Sequence, residues 1–167
     1  MRVTAQIDIA APPARVWAFL SDPGKQLHFM AGITRWEVAG DIERGVGARY
    51  RMLMRVGSAE VGSLIEVVES TENRDMAWVS VTGLDQRGRW RLRERASGSR
   101  THVEFRLSYG VAGAGIFGFL AERVAVPQVQ RHLNRSLQQL KRQVEHEQLR
   151  DDAATRRAAR EARAAVA

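Results

Sequence analysis

An α+β fold, with an antiparallel sheet covered by one long C-terminal helix, is what the hydrophobic patterning of this chain predicts. Segments between residues 33 and 110 carry the two-residue alternation of strands, and no neighbouring pair leaves room for a crossover helix, so pairing must be antiparallel. From Gly115 the period lengthens to about 3.6, with Val129, Leu133, Leu137, Leu140 and Val144 on one stripe. A sheet with one apolar face cannot bury it alone, and this helix is the only element long enough to cover it.

The elements follow in order. VTAQIDIA at 3–10 alternates as a strand, with Val3, Ala5, Ile7 and Ile9 on one side. Pro12 and Pro13 stop it and suit the first turn of a helix over Ala14 to Leu20, where Val16, Trp17 and Leu20 share a face. Ser21-Asp22-Pro23-Gly24 ends that helix, and Lys25 to Met30 forms a second short one before Ala31-Gly32. The strands are ITRWEVAG, GARYRMLMRV, GSLIEVVES, DMAWVSVTG, GRWRLRER and THVEFRLSYG. In RYRMLMRV, Tyr50, Met52 and Met54 look one way while Arg49, Arg51 and Arg55 look the other. Trp90 and Leu92 likewise oppose Arg89, Arg91 and Arg93, and Phe105, Leu107 and Tyr109 oppose Glu104 and Arg106. Pro127 lacks a backbone donor, which predicts a kink or break near Val126. Past Gln148 the Ala/Arg-rich tail has no apolar stripe and reads as a frayed solvent helix or disorder. The expected division is a domain over 1–146 and a charged tail over 147–167.

Composition narrows the function classes. The 167 residues include no cysteine, which excludes disulfides, thiolate metal sites and cysteine nucleophiles. The net charge of +7 is nearly all arginine, as the lysines are Lys25 and Lys141 alone; a GC-rich bacterial genome accounts for such usage. No nucleic-acid partner is expected, because no binding signature is present and the arginines are not interleaved with stacking aromatics. The start lacks a signal-peptide pattern, and VAGAGIFGFLA at 111–121 is about half the length that spans a bilayer, so a cytoplasmic location is expected.

The opening strand followed by IAAPPARVWAFLSDP, with Val16, Trp17, Leu20 and Asp22 in place, then the strand run and the long last helix, resembles the START-like (SRPBCC) superfamily. This superfamily includes Bet v 1-like proteins and the polyketide cyclase/dehydrase and lipid-transport proteins. The resemblance covers about residues 1–146 and implies a helix-grip fold, a seven-stranded sheet wrapped about the last helix with a hollow for apolar small molecules. Tyr50, Met52, Met54, Trp90, Phe105, Leu107, Tyr109, Phe117, Leu120 and Val124 would line it. Methionine and tyrosine suit an adaptable cavity, although each residue taken singly reads as core.

Other motifs carry less. Gly113 to Gly118 spells GxGxxG, but no parallel strand follows, so the glycines instead let the helix start approach the sheet rim, where Ile116, Phe117, Phe119 and Leu120 would gate the hollow or touch a membrane. His28, His102, His132 and His146 fall on separate elements, so no metal is expected; only His28 is placed near a pocket mouth. No cofactor is expected either. Glu37, Glu66 and Glu104 read as solvent-facing, whereas Glu94 shares parity with Trp90 and Leu92 and points inward, near the rim. Ser63 and Ser80 are further inward polar candidates. Arg87, Arg89, Arg91, Arg93 and Arg95, with Arg49, Arg51 and Arg55, form a basic outer face, a solvated surface or a dock for anionic membrane or acidic protein. The preferred reading is a non-catalytic binder and carrier of a lipid or polyketide-like molecule. The first alternative is a cyclase, dehydratase or aromatase acting through Tyr50, Tyr109 and Glu94. The second is a regulatory interaction module using the basic face and tail. Nothing in the pattern specifies an oligomeric state.

Overall fold

A computed structural model of the chain describes residues 1–110 and 115–164, without the side chains of residue 56 and residues 115–125. Strand β1 (Arg2–Ile9) leads into α1 (Pro13–Leu20) and the single-turn helix α2 (Gln26–Phe29). Then come β2 (Ile33–Val38), β3 (Arg49–Val56), β4 (Ala59–Thr71), β5 (Asp75–Gly83), β6 (Asp85–Arg95), β7 (Arg100–Gly110) and α3 (Gly115–Ala164). The seven strands form one curled antiparallel sheet in the order β1-β7-β6-β5-β4-β3-β2, and α3 lies against it, giving the α+β helix-grip arrangement. From β3 onward the meander needs only short turns, β2 reaches β3 through a loop over 39–48, and β1 joins by pairing with β7 from Arg2↔Ser108 to Ile9↔Thr101.

The inner face follows the alternation. Val3, Ala5 and Ile9 of β1, Ile65 and Val67 of β4, Trp90 and Leu92 of β6, and Val103, Phe105 and Leu107 of β7 are buried with Val129, Leu133, Leu137, Leu140 and Val144 of α3. Polar bonds fix the helix along β1. Gln130 donates to the Thr4 carbonyl (3.0 Å), Lys141 donates to the Asp8 carbonyl (2.7 Å), and Glu145 accepts from the Ala10 amide (2.7 Å). Burial pushes the Glu145 carboxyl up, but the Lys141 and Ala10 bonds outweigh it and hold the group below the usual range.

Pro127 does not break the helix: it removes a single donor, and the buried stripe from Val129 onward holds the next turns in place. The tail, expected as a solvent helix or disorder, continues as a largely exposed helix to Ala164. Its first turns are tied back by Arg15–Asp151 (2.6 Å) and Lys25–Glu147 (3.7 Å), and alanine and arginine favour helix without burial. Among the described residues no helix is long and apolar enough to cross a membrane.

Candidate functional site

The inner side of the sheet is where alternation sends the apolar side chains. Described residues line two small cavities there. One, of about 20 Å3, is bordered by Leu20, Gln26, Met30, Trp36, Tyr50, Trp78 and Trp90. The other, of about 30 Å3, is bordered by Met30, Trp36, Met52, Met54, Trp78, Gln86, Phe105, Leu107 and His132. Each has room for about one water molecule. Trp36, Trp78 and Met30 border both cavities.

The residues expected around the hollow separate into groups. Tyr50, Met52, Met54, Trp90, Phe105 and Leu107 are buried and border one cavity or the other. Tyr109 is buried at the end of β7, opposite Gln86, and borders neither. The side chains of Phe117, Leu120 and Val124, and those of the proposed gate over 113–124, lie outside what the structure describes. Glu94 is exposed at the end of β6, so its inward parity is lost there: the strand runs past the covered part of the sheet and desolvation would oppose burying a carboxylate. His28 is exposed on α2 and does not approach a cavity; His132 does.

The polar lining has a consistent character. Tyr50 stacks on Trp36 (5.1 Å between centroids) and donates its hydroxyl proton to the Glu43 carbonyl (2.6 Å), tying the β2–β3 loop to the core. Burial raises the Tyr50 pKa further above the ordinary phenol value, so it stays neutral. Gln86 donates to the Ser63 hydroxyl (2.5 Å) and lies 3.4 Å from the Met52 sulfur, a buried polar pair within the apolar wall. Ser80, the other serine candidate, is spent on the β5–β6 turn, accepting from the Gln86 amide (3.1 Å). The indole N–H groups of Trp36 and Trp78 and Nδ1 of His132 are buried without a hydrogen-bond partner. Gln86, Trp36 and Trp78 were not singled out from the sequence. Extending the Trp90 alternation back two steps reaches Gln86, and Trp78 shares parity with Met76 in its own strand; nothing local marks Trp36 as a cavity residue.

His132 reaches the cavity because α3 presents its ring to Gly32, whose missing side chain leaves the space: a Cβ there would lie 2.3 Å from Nδ1. Burial, and then the positive charges of Arg135 and Arg131, hold its pKa below the ordinary histidine value. The folded protein thus disfavours the protonated ring. The stability this confers is complete above about pH 6.5 and is lost as the pH falls below that range toward the folded-state value. Thermal melts at pH 7.5 and 5.5 should show a loss of stability on acidification that His132→Gln reduces; equal losses in both proteins would assign the effect to other groups.

Comparison with known proteins agrees with this architecture. The chain superposes on a protein of Thermus thermophilus with a TM-score of 0.74 at 24% identity, covering 86% of this chain and 97% of that one. It superposes on the Zhui aromatase/cyclase from a Streptomyces species with a TM-score of 0.71 at 19% identity, covering 87% and 93%. A START superfamily protein from Mycobacterium smegmatis gives a TM-score of 0.60 at 16% identity, covering 89% and 98%. Such identities establish a shared fold and no more. No curated protein matches the chain significantly. The family model described as polyketide cyclase/dehydrase and lipid transport matches residues 1–145, which take in the whole of the curled sheet and the part of α3 packed against it, and the chain belongs to that family.

Proposed function

We propose that this protein binds, and carries without catalysis, a hydrophobic small molecule that bears hydrogen-bond acceptors and lies between the sheet and α3. The observation that carries this reading is the pair of buried, unpartnered indole N–H groups of Trp36 and Trp78 on the border of both cavities. An indole nitrogen only donates, and a buried donor without an acceptor costs about 1–3 kcal/mol. A ligand oxygen reaching between the cavities would satisfy these donors while its apolar part replaces contacts in the wall. Widening the space calls for side chains that can move, and Met30, Met52, Met54 and Met76 around it are unbranched thioethers that repack readily. The lipid-transport half of the family description supports the same ligand class.

Native mass spectrometry of the freshly purified chain should show a retained small molecule, and a medium-chain fatty acid should quench tryptophan fluorescence saturably. Trp36→Phe and Trp78→Phe each keep an aromatic ring and remove the donor, so each should weaken the fatty-acid affinity about 2- to 10-fold. No retained molecule together with no saturable quenching would defeat the reading.

A second reading, cyclase or dehydratase chemistry, is favoured by His132. A neutral imidazole bordering the cavity can accept a proton from carbon next to a carbonyl. Turnover of a β-diketone that His132→Gln abolishes, with the fold intact, would select it over carriage.

A further inference from the structure

On the outer face of the sheet, away from α3, arginines recur at alternate positions of β6: Arg87, Arg89, Arg91 and Arg93. Arg106 of β7 and Arg2 of β1 extend the array. Strand β6 lies third from the β1 end of the sheet, so protection of an open edge, a common reason for a row of charge, does not account for it. Four of these cations are held by carboxylates. Asp75 lies 3.5 Å from Arg91 and 3.3 Å from Arg93, Glu69 takes Arg89 in a two-point pair, and Glu104 holds Arg106 at 2.8 Å.

Arg2 and Arg87 differ from the other four. Neither makes an ion pair among the described residues, and both are exposed. Both are Cα partners of Ser108, one on each side, so the two arginines and the serine stand in one row across three neighbouring strands. Their backbones are two strand spacings apart, about 10 Å, a gap that two arginine side chains can close over a small anion. A groove of about 380 Å3 runs past all three, with Val68 and Val79 on its opposite flank. Val68 is 47% exposed, an apolar side chain left open beside the cations. Asp85 stands with Arg2 and Arg87 in an adjoining groove and offsets only part of their charge.

From this geometry we infer that Arg2, Arg87 and Ser108 form a site for a phosphate-type oxyanion, with the Val68–Val79 flank receiving the apolar part of the molecule that carries it. Arginine suits this chemistry because its fork of donors matches two oxygens of one group, and the serine hydroxyl supplies a third donor between them. The neighbouring ion pairs hold Arg89 and Arg106 in place as one wall of the groove. The same carboxylates, Glu69, Asp75 and Glu104, would be pressed against the headgroups of a flat anionic surface, which favours a discrete anion over broad membrane adsorption. The inference does not depend on what the interior binds.

The test is titration of the isotope-labelled full chain with pyrophosphate and with glycerol 3-phosphate at low salt, following amide shifts near Arg2, Arg87 and Ser108. Saturable binding is expected, weakened about 10-fold or more by Arg87→Gln or Arg2→Gln. Arg93→Gln should change it less than about twofold, since that guanidinium is outside the groove and paired with Asp75. Phosphatidylcholine vesicles containing phosphatidic acid form a second arm. Co-sedimentation that requires Arg87 would make the phosphate a lipid headgroup, and soluble binding without co-sedimentation would make it part of a free molecule. No saturable response to any of these probes, or equal weakening by all three substitutions, would overturn the inference and leave the arginines as a solvated face.

Discussion

Replacing Trp90 by alanine is expected to destabilise the fold by about 3–5 kcal/mol, the usual range for removing a large aromatic from a core. Trp90 is 1% exposed and stacks on Phe105 at 3.9 Å with its plane tilted only 15°, while Phe29 meets it edge-on at 6.3 Å. These contacts join α2, β6 and β7 at one point. The void left by the side chain would merge with the cavity of about 20 Å3 that Trp90 already borders, and collapse is opposed by the sheet on one side and by Leu20 of α1 and Gln26 of α2 on the other. In a domain of this size the loss corresponds to a melting temperature lower by about 6–20 °C. Trp90→Phe keeps part of the stack and should lose clearly less. Urea unfolding of both variants gives the comparison, and a Trp90→Ala midpoint close to that of the parent would show that the stack contributes little.

Gly88→Ala adds a single methyl group and should nevertheless cost about 1–3 kcal/mol, the range for overpacking a filled core. Gly88 and Trp78 are paired directly across β6 and β5, and the indole lies across the glycine, so an added Cβ would stand 1.9 Å from the ring. The ring would have to leave its position between the two cavities. Trp78→Ala in the same chain should recover most of the loss attributable to the clash, making the double variant less than additive. Two additive losses would place the problem in the backbone of β6 rather than in the ring.

The fold was legible because it is written in periodicity. Each strand on the inner wall could be found from its own residues, and the stripe from Val129 to Val144 identified the covering helix without reference to the sheet. The candidate site was legible only in part. Tyr50, Met52, Met54, Trp90, Phe105 and Leu107 were readable as inward-facing, because facing is a property of one strand. Glu94 shows the limit of that logic: parity describes direction, and β6 extends beyond what α3 covers. His132 shows another, since its approach to the cavity depends on a glycine a hundred positions earlier in the chain, at Gly32, that leaves space for its ring. Gln86 was missed for a simpler reason. The strand starts at Asp85, before the apolar alternation becomes evident at Trp90.

By itself, the order of residues determined the elements, the antiparallel pairing, the two faces of the sheet and the family, since each follows from short-range alternation or from a contiguous motif. Tertiary structure decided that Trp36 and Trp78 border two small cavities with unsatisfied donors, and that Arg2 and Arg87 stand on either side of Ser108 in one row of the sheet. Both depend on residues from strands far apart in the chain meeting in space, and no pattern within one segment encodes their distance.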